Sequence, residues 1–184
     1  MNFKKHLDLY SPLTDAEFET VLNYFASRKV KKKEYVIRAG HHVHHTYWVQ
    51  KGLLVSTMHD EAGKEHIMQF AIENCWITDQ NAFYNKEKAT FDIYALEPTE
   101  LLCLSFENRE NLCKEMHKME HFFRKKANDS FVKQQKRLLT YMVSDASERY
   151  DQLLREYPGI TQRLSKKTLA AYLGVTRETL SRLK

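Results

Sequence analysis

The stretch Lys166-Lys167-Thr168-Leu169-Ala170-Ala171-Tyr172-Leu173-Gly174-Val175-Thr176-Arg177-Glu178-Thr179-Leu180-Ser181-Arg182-Leu183-Lys184 decides how this chain is read. Leu169, Ala170 and Leu173 recur at helical spacing and form a short apolar face. Gly174 suits the left-handed conformation that reverses a chain sharply. Thr176 is a good N-cap for a new helix, which would bury Leu180 and Leu183. Ala170 has to be small because the second helix crosses over it, and Val175 would plug the gap between the two. The expectation is helix, tight turn, helix.

At about 100° per residue, Arg177, Glu178, Ser181 and Arg182 share one arc of the second helix, roughly opposite Leu180 and Leu183. These side chains suit a DNA major groove. Arginine presents two donors to guanine O6 and N7, and glutamate can accept from cytosine N4. Thr176, Lys166 and Lys167 suit phosphate contacts that hold the register.

Charge along the chain agrees. Residues 1–118 contain 15 Lys/Arg and 17 Asp/Glu, a net of −2, whereas residues 119–184 contain 14 and 7, a net of +7. The last third therefore carries more than the whole formal charge of +5, which suits a polyanionic partner.

Upstream, Met119, Phe122, Phe123, Ala127, Phe131, Leu138 and Met142 recur at three- and four-residue steps, with Gln134 and Gln135 in the gaps. No Gly or Pro interrupts Phe106 to Tyr157, so one long helix is expected, bent near Ser144-Asp145. Such an amphipathic helix between two compact parts is expected to pair with a copy of itself, the competing reading being a helix packed on its own β-domain. A second helix, about Ala146 to Tyr157, is closed by Pro158-Gly159.

From Val30 to Ser105 the pattern is that of strands. Tyr35-Val36-Ile37, Tyr47-Trp48-Val49, Leu53-Leu54-Val55, Ile67-Met68-Gln69-Phe70, Phe91-Asp92-Ile93-Tyr94 and Leu101-Leu102-Cys103-Leu104 are separated by turns at Gly40, Gly52, Gly63 and Pro98. That rhythm indicates a sandwich or barrel. Before it, Thr14-Asp15-Ala16-Glu17 is a capping-box pattern that opens a helix to Ala26. The basic run Arg28, Lys29, Lys31, Lys32 and Lys33 reads as a solvated strand edge.

Composition closes off other classes. The chain has 184 residues, 42% apolar and 29% charged, which is ordinary globular composition. No apolar run approaches the roughly 18 residues of a membrane span. Met1 to Asp8 lacks the apolar stretch of a secretory signal, so a cytoplasmic location is expected. Cys75, Cys103 and Cys113 fit neither a CxxC pair nor a zinc framework and read as reduced thiols. His41, His42, His44 and His45 cluster on a turn. A cupin metal site would also need a nearby Glu, and residues 46–60 contain none. No metal site or cofactor is therefore expected, nothing among the nine histidines singles out a haem ligand, and no catalytic motif is evident.

Three stretches resemble the Crp/Fnr superfamily of bacterial transcription regulators, the catabolite-activator-like proteins. They are Glu34 to Gly40 with Tyr47 to Leu53, Glu61 to Ile67, and Thr176 to Arg182. The resemblance implies an α+β chain. Residues 1–118 would form an N-terminal jelly-roll sensor domain of cyclic-nucleotide-binding type. Residues 119–143 would be a dimerisation helix, and residues 144–184 a helix-turn-helix DNA-binding domain. It implies a homodimer on a near-palindromic operator, with RNA polymerase as a further partner, and no membrane. Family members that bind cyclic nucleotides carry a Gly-Glu pair and, further on, an Arg before Ser, Thr or Ala. Here the segment reads Thr78-Asp79-Gln80 … Lys88-Ala89-Thr90, so the effector pocket would involve Asp79, Gln80, Lys88, Ala89 and Thr90, and a small molecule other than cAMP, or none. Two other readings compete with the regulator, which is not an enzyme: a metal-dependent cupin-like jelly-roll enzyme or small-molecule-binding protein, and a bare interaction module.

Overall fold

A computed structural model describes residues 3–183; the expected end of the C-terminal part, Lys184, lies outside the described residues. The first elements are α1 (Phe3–Asp8) and α2 (Asp15–Leu22). Thr14 caps α2 with the full reciprocal box: its hydroxyl accepts from Glu17 N, and the Glu17 carboxylate accepts from Thr14 N at 2.8 Å. The helix stops at Leu22 rather than at Ala26, because Phe25 opens a strand.

That strand is β1 (Phe25–Val30), followed by β2 (Tyr35–Ile37), β3 (His45–Lys51), β4 (Leu54–His59), β5 (Glu65–Ala71) and β6 (Trp76–Ile77). After α3 (Gln80–Asn85) come β7 (Asp92–Ala95) and β8 (Thr99–Ser105). They make two four-stranded sheets, ordered β1-β8-β3-β6 and β2-β7-β4-β5. The basic run falls largely on or just after β1, an edge strand, where Arg28 pairs with Glu34 at 3.2 Å and Lys29 with Glu100 at 3.8 Å. Gly52 turns β3 into β4 at φ +106, and a Cβ there would come within 2.4 Å of the Thr99 hydroxyl, so no other residue fits.

The remaining elements are helical: α4 (Phe106–Glu115), α5 (His117–Val143), α6 (Ala146–Glu156), α7 (Ile160–Arg163), α8 (Lys166–Leu173) and α9 (Arg177–Arg182). The single expected helix from Phe106 is thus two, broken at Met116, whose extended backbone is not signalled by any Gly or Pro. The break at Ser144-Asp145 falls where the sequence puts it: Asp145 caps α6 in a second capping box with Glu148.

Two compact units emerge, residues 1–56 with 70–127 and residues 57–69 with 128–184. The division inside α5 lies at Ala127. The first unit has two apolar cores. One lies among the strands and includes Val49, Leu54, Phe83, Ile93 and Leu101. The other gathers Phe3, Leu7, Trp48, Leu104, Leu112, Met119 and Phe122, with the Phe3 and Trp48 rings 4.6 Å apart. The second unit buries Tyr150, Leu153, Ile160, Leu169, Leu173 and Leu180. None of the described helices is long and apolar enough to cross a membrane.

Candidate nucleic-acid interface

The two short helices α8 and α9 stand on local signals. Ser165 caps α8, its hydroxyl accepting from Thr168 N at 3.1 Å, and Thr176 caps α9, accepting from Thr179 N at 3.1 Å. Between them Gly174 is left-handed, φ 69 and ψ 28. Val175 N–H donates to Ala170 O at 3.0 Å, closing the turn. Ala170, Leu173 and Leu180 are buried, whereas Val175 is only half-buried.

Burying Leu180 turns the opposite arc of α9 outward. Arg177, Glu178, Ser181 and Arg182 are all exposed, as are Thr176, Lys166 and Lys167. The seven residues expected at a nucleic-acid surface are thus brought together on α8, α9 and the turn between them. The Thr176 hydroxyl is already engaged in the cap. Glu178 accepts from its own backbone N–H and from Thr176, and these bonds hold its carboxyl below the usual range.

Long-range contacts that the sequence does not announce hold this pair in place. Arg149 donates to Ser144 O at 2.7 Å and to Leu173 O at 3.2 Å, tying the start of α6 to both the α5 bend and the end of α8. The Arg137 guanidinium lies 4.8 Å from the Tyr172 ring centroid, and that of Arg149 lies 5.4 Å from Tyr141. Arginines on a helix read as solvated charge until the partner ring is known.

The same stretch of α5 keeps an apolar stripe in solvent. Phe131, Leu138 and Met142 are 68%, 62% and 73% exposed and share an arc of about 40°. Val132, Leu139 and Val143 widen it to about 140°.

In the first unit, the segment 79–90 is tied to itself. Asp79 is buried; one carboxylate oxygen accepts from Ala82 N at 3.1 Å as the cap of α3, and the other accepts from Thr90 N and Oγ1 at 2.9 and 3.0 Å. Three of its roughly four acceptor positions are therefore filled within the chain. Gln80, Lys88 and Thr90 are exposed, Ala89 is buried, and the backbone of Lys88 bridges His42. The histidine cluster lies across a recess beside β2 and β3. Among the described residues no three His, Cys, Asp or Glu side chains are placed to hold a metal ion.

Residues 27–116 match the cyclic nucleotide-binding domain family. The catabolite activator protein of Thermus thermophilus is similar over 97% of this chain and 84% of its own, at 20% identity and a TM-score of 0.63. The c-di-GMP-responsive global regulator CLP of Xanthomonas campestris is similar over 92% and 89%, at 14% identity and a TM-score of 0.72. A transcriptional regulator assigned to the crp/fnr family from Eubacterium rectale is similar over 93% and 82%, at 16% identity and a TM-score of 0.69. No curated protein matches the chain.

Proposed function

We propose that this chain, which carries a cyclic nucleotide-binding domain over residues 27–116 and shares the fold of Crp/Fnr transcription regulators, is itself a homodimeric, sequence-specific DNA-binding regulator and not an enzyme. The observation that carries this reading is the polar arc of α9. Arg177, Glu178, Ser181 and Arg182 face solvent because Leu180 is anchored beneath them, in a helix–turn–helix pair with Lys166 and Lys167 alongside.

In this reading α9 enters the major groove, where Arg177 and Arg182 read base edges and the lysines contact phosphates. The exposed stripe from Phe131 to Val143 packs against its copy in a second chain. Two reading helices would then sit about 34 Å apart on successive major grooves of a near-palindromic site. The two-sheet domain, taken as a jelly-roll sensor, biases the dimer between two arrangements when a small molecule binds. The 79–90 segment is its candidate effector region, with a ligand other than cAMP.

Selection of bound sequences from random duplex DNA tests the reading. The expected result is enrichment of one inverted repeat, with affinity falling steeply with salt. Binding that never rises above that of random duplex would overturn it.

A further inference from the structure

The recess beside β2 and β3 has a volume of about 330 Å³. That lies at the low end for small-molecule sites, which run roughly 300–1,000 Å³. Its polar lining is cationic or hydrogen-bond-donating. Arg28, Arg38, His41, His42, His44 and His45 line it. No Asp or Glu lines it. Val36, Ile37 and Val43 supply buried apolar lining, and the buried Tyr47 lines it too. Burial pushes the Tyr47 phenol up to about 12, so it stays a neutral hydroxyl, and Arg28 donates to it.

The two arginines are positioned by their neighbours, and Glu34 already pairs the charge of Arg28, so Arg38 is the main cation facing the recess. Arg28 is anchored by Glu34 and by the carbonyl of Tyr35 at 3.1 Å, and the Arg38 guanidinium stacks 4.4 Å from the Tyr35 ring centroid. Arginine offers five donors and no acceptor, and each neutral imidazole still offers one donor. Such a lining suits an anion and repels a cation. The histidines do not converge for metal binding: the His42 and His44 rings are 6.5 Å apart, and no metal-holding trio occurs among the described residues.

We infer that this recess is a binding site for a small organic anion, a phosphate or carboxylate carried on an apolar body. It is separate from Asp79 and Thr90, which do not line it. The two are nonetheless linked through the backbone. Gly40 N donates to Ala89 O and Ala89 N donates to His41 O, both at 2.8 Å, and the next residue, Thr90, is bonded to Asp79. An anion drawing on His41 or His42 therefore pulls on the segment from Lys88 to Thr90 that is bonded to the Asp79 cap of α3.

Calorimetry on the whole chain without DNA tests the site, using benzenedisulfonate as probe. This dianion has an apolar ring and no titration in the working range. Saturable one-to-one binding is expected, weakened about tenfold by Arg38→Gln and by His44→Gln, as loss of one charge-assisted bond predicts. Both side chains are exposed, and circular dichroism of each variant is expected to match the parent. Inorganic sulfate, lacking the ring, is expected to bind more weakly, and neutral benzyl alcohol not at all. The inference is overturned by an absence of saturable binding, by unchanged, parental affinity in the two variants, by equal binding of benzyl alcohol, or by displacement of the probe by random duplex DNA, which would make this face a polyanion surface. Because DNA enters only as a competitor, the anion site can fail while operator binding stands, and the reverse.

Discussion

A Cβ on Gly174 would stand 3.1 Å from the Tyr141 hydroxyl. The turn of the helix pair and the last turn of α5 therefore meet at the one residue whose backbone is left-handed for the reversal. Gly174→Ala adds strain at φ 69 to crowding by Tyr141. The expected loss is about 1–2 kcal/mol of stability, read as a lower urea midpoint with an unchanged slope. Tyr141→Phe removes the hydroxyl and is expected to recover part of the loss in the double variant. Full additivity of the two changes would disprove the contact.

Arg177→Ala and Arg182→Ala are each expected to lose about 1–3 kcal/mol on the preferred DNA site and to relax base preference at one position. Lys166→Ala is expected to weaken all duplexes alike and to lower the salt slope by about 1. Titrations of the preferred site and of random duplex at several salt concentrations separate the two behaviours.

Leu138→Glu places a charge in the middle of the exposed α5 stripe. If that stripe is the seam between two copies, sedimentation will show monomers where the parent gives dimers, and operator affinity will fall while folding is kept. A dimeric variant would place the seam elsewhere.

Asp79→Ala uncaps α3 and strands Thr90, with an expected cost of about 1–3 kcal/mol in thermal or urea unfolding. Because the Asp79 carboxylate is largely filled within the chain and no arginine lies between Lys86 and Thr90, calorimetry with cAMP and cGMP is expected to give no saturable heat.

Glu17 offers a pH signature. The Lys118 ammonium at 2.8 Å, and after it the Thr14 backbone N–H, pull its carboxyl from the ordinary 4.5 down to about 2. The folded value lies below the unfolded one. The contribution is therefore complete above about pH 4.5 and is lost as pH falls through about 2. Carboxyl-detected NMR titration is expected to show this low value, and Lys118→Met to raise it toward 4.5.

The elements legible in the sequence are those fixed within a few residues. Thr14 with Glu17, the Ser144-Asp145 bend, the left-handed Gly174 and the cap at Thr176 all depend on neighbours no more than four positions away. The apolar strands β2, β3, β4, β5, β7 and β8 are equally visible, because their runs are β-branched and aromatic, whereas the two-residue β6 is not. The helix pair follows from the alternation of buried Leu173 and Leu180 with the polar arc of Arg177 and Arg182, which 3.6-residue periodicity alone sets.

Tertiary structure decided the rest, wherever a residue's role depends on a distant partner. Phe25 and Ala26 read as the end of a helix and become the start of β1 only because β8 supplies the ladder. Met116 breaks the helix without Gly or Pro. Arg149 is one more surface arginine until Leu173 and Ser144 present their carbonyls. Asp79 and Thr90, eleven residues apart, become one clamp only when α3 folds back, and the histidine turn becomes a recess only once Arg28 is brought beside it. Side-chain type and short-range spacing dictate caps, turns and faces, because those forces act through the local backbone. Which charge meets which ring or carbonyl is set by how sheets and helices pack, and no short-range pattern encodes that.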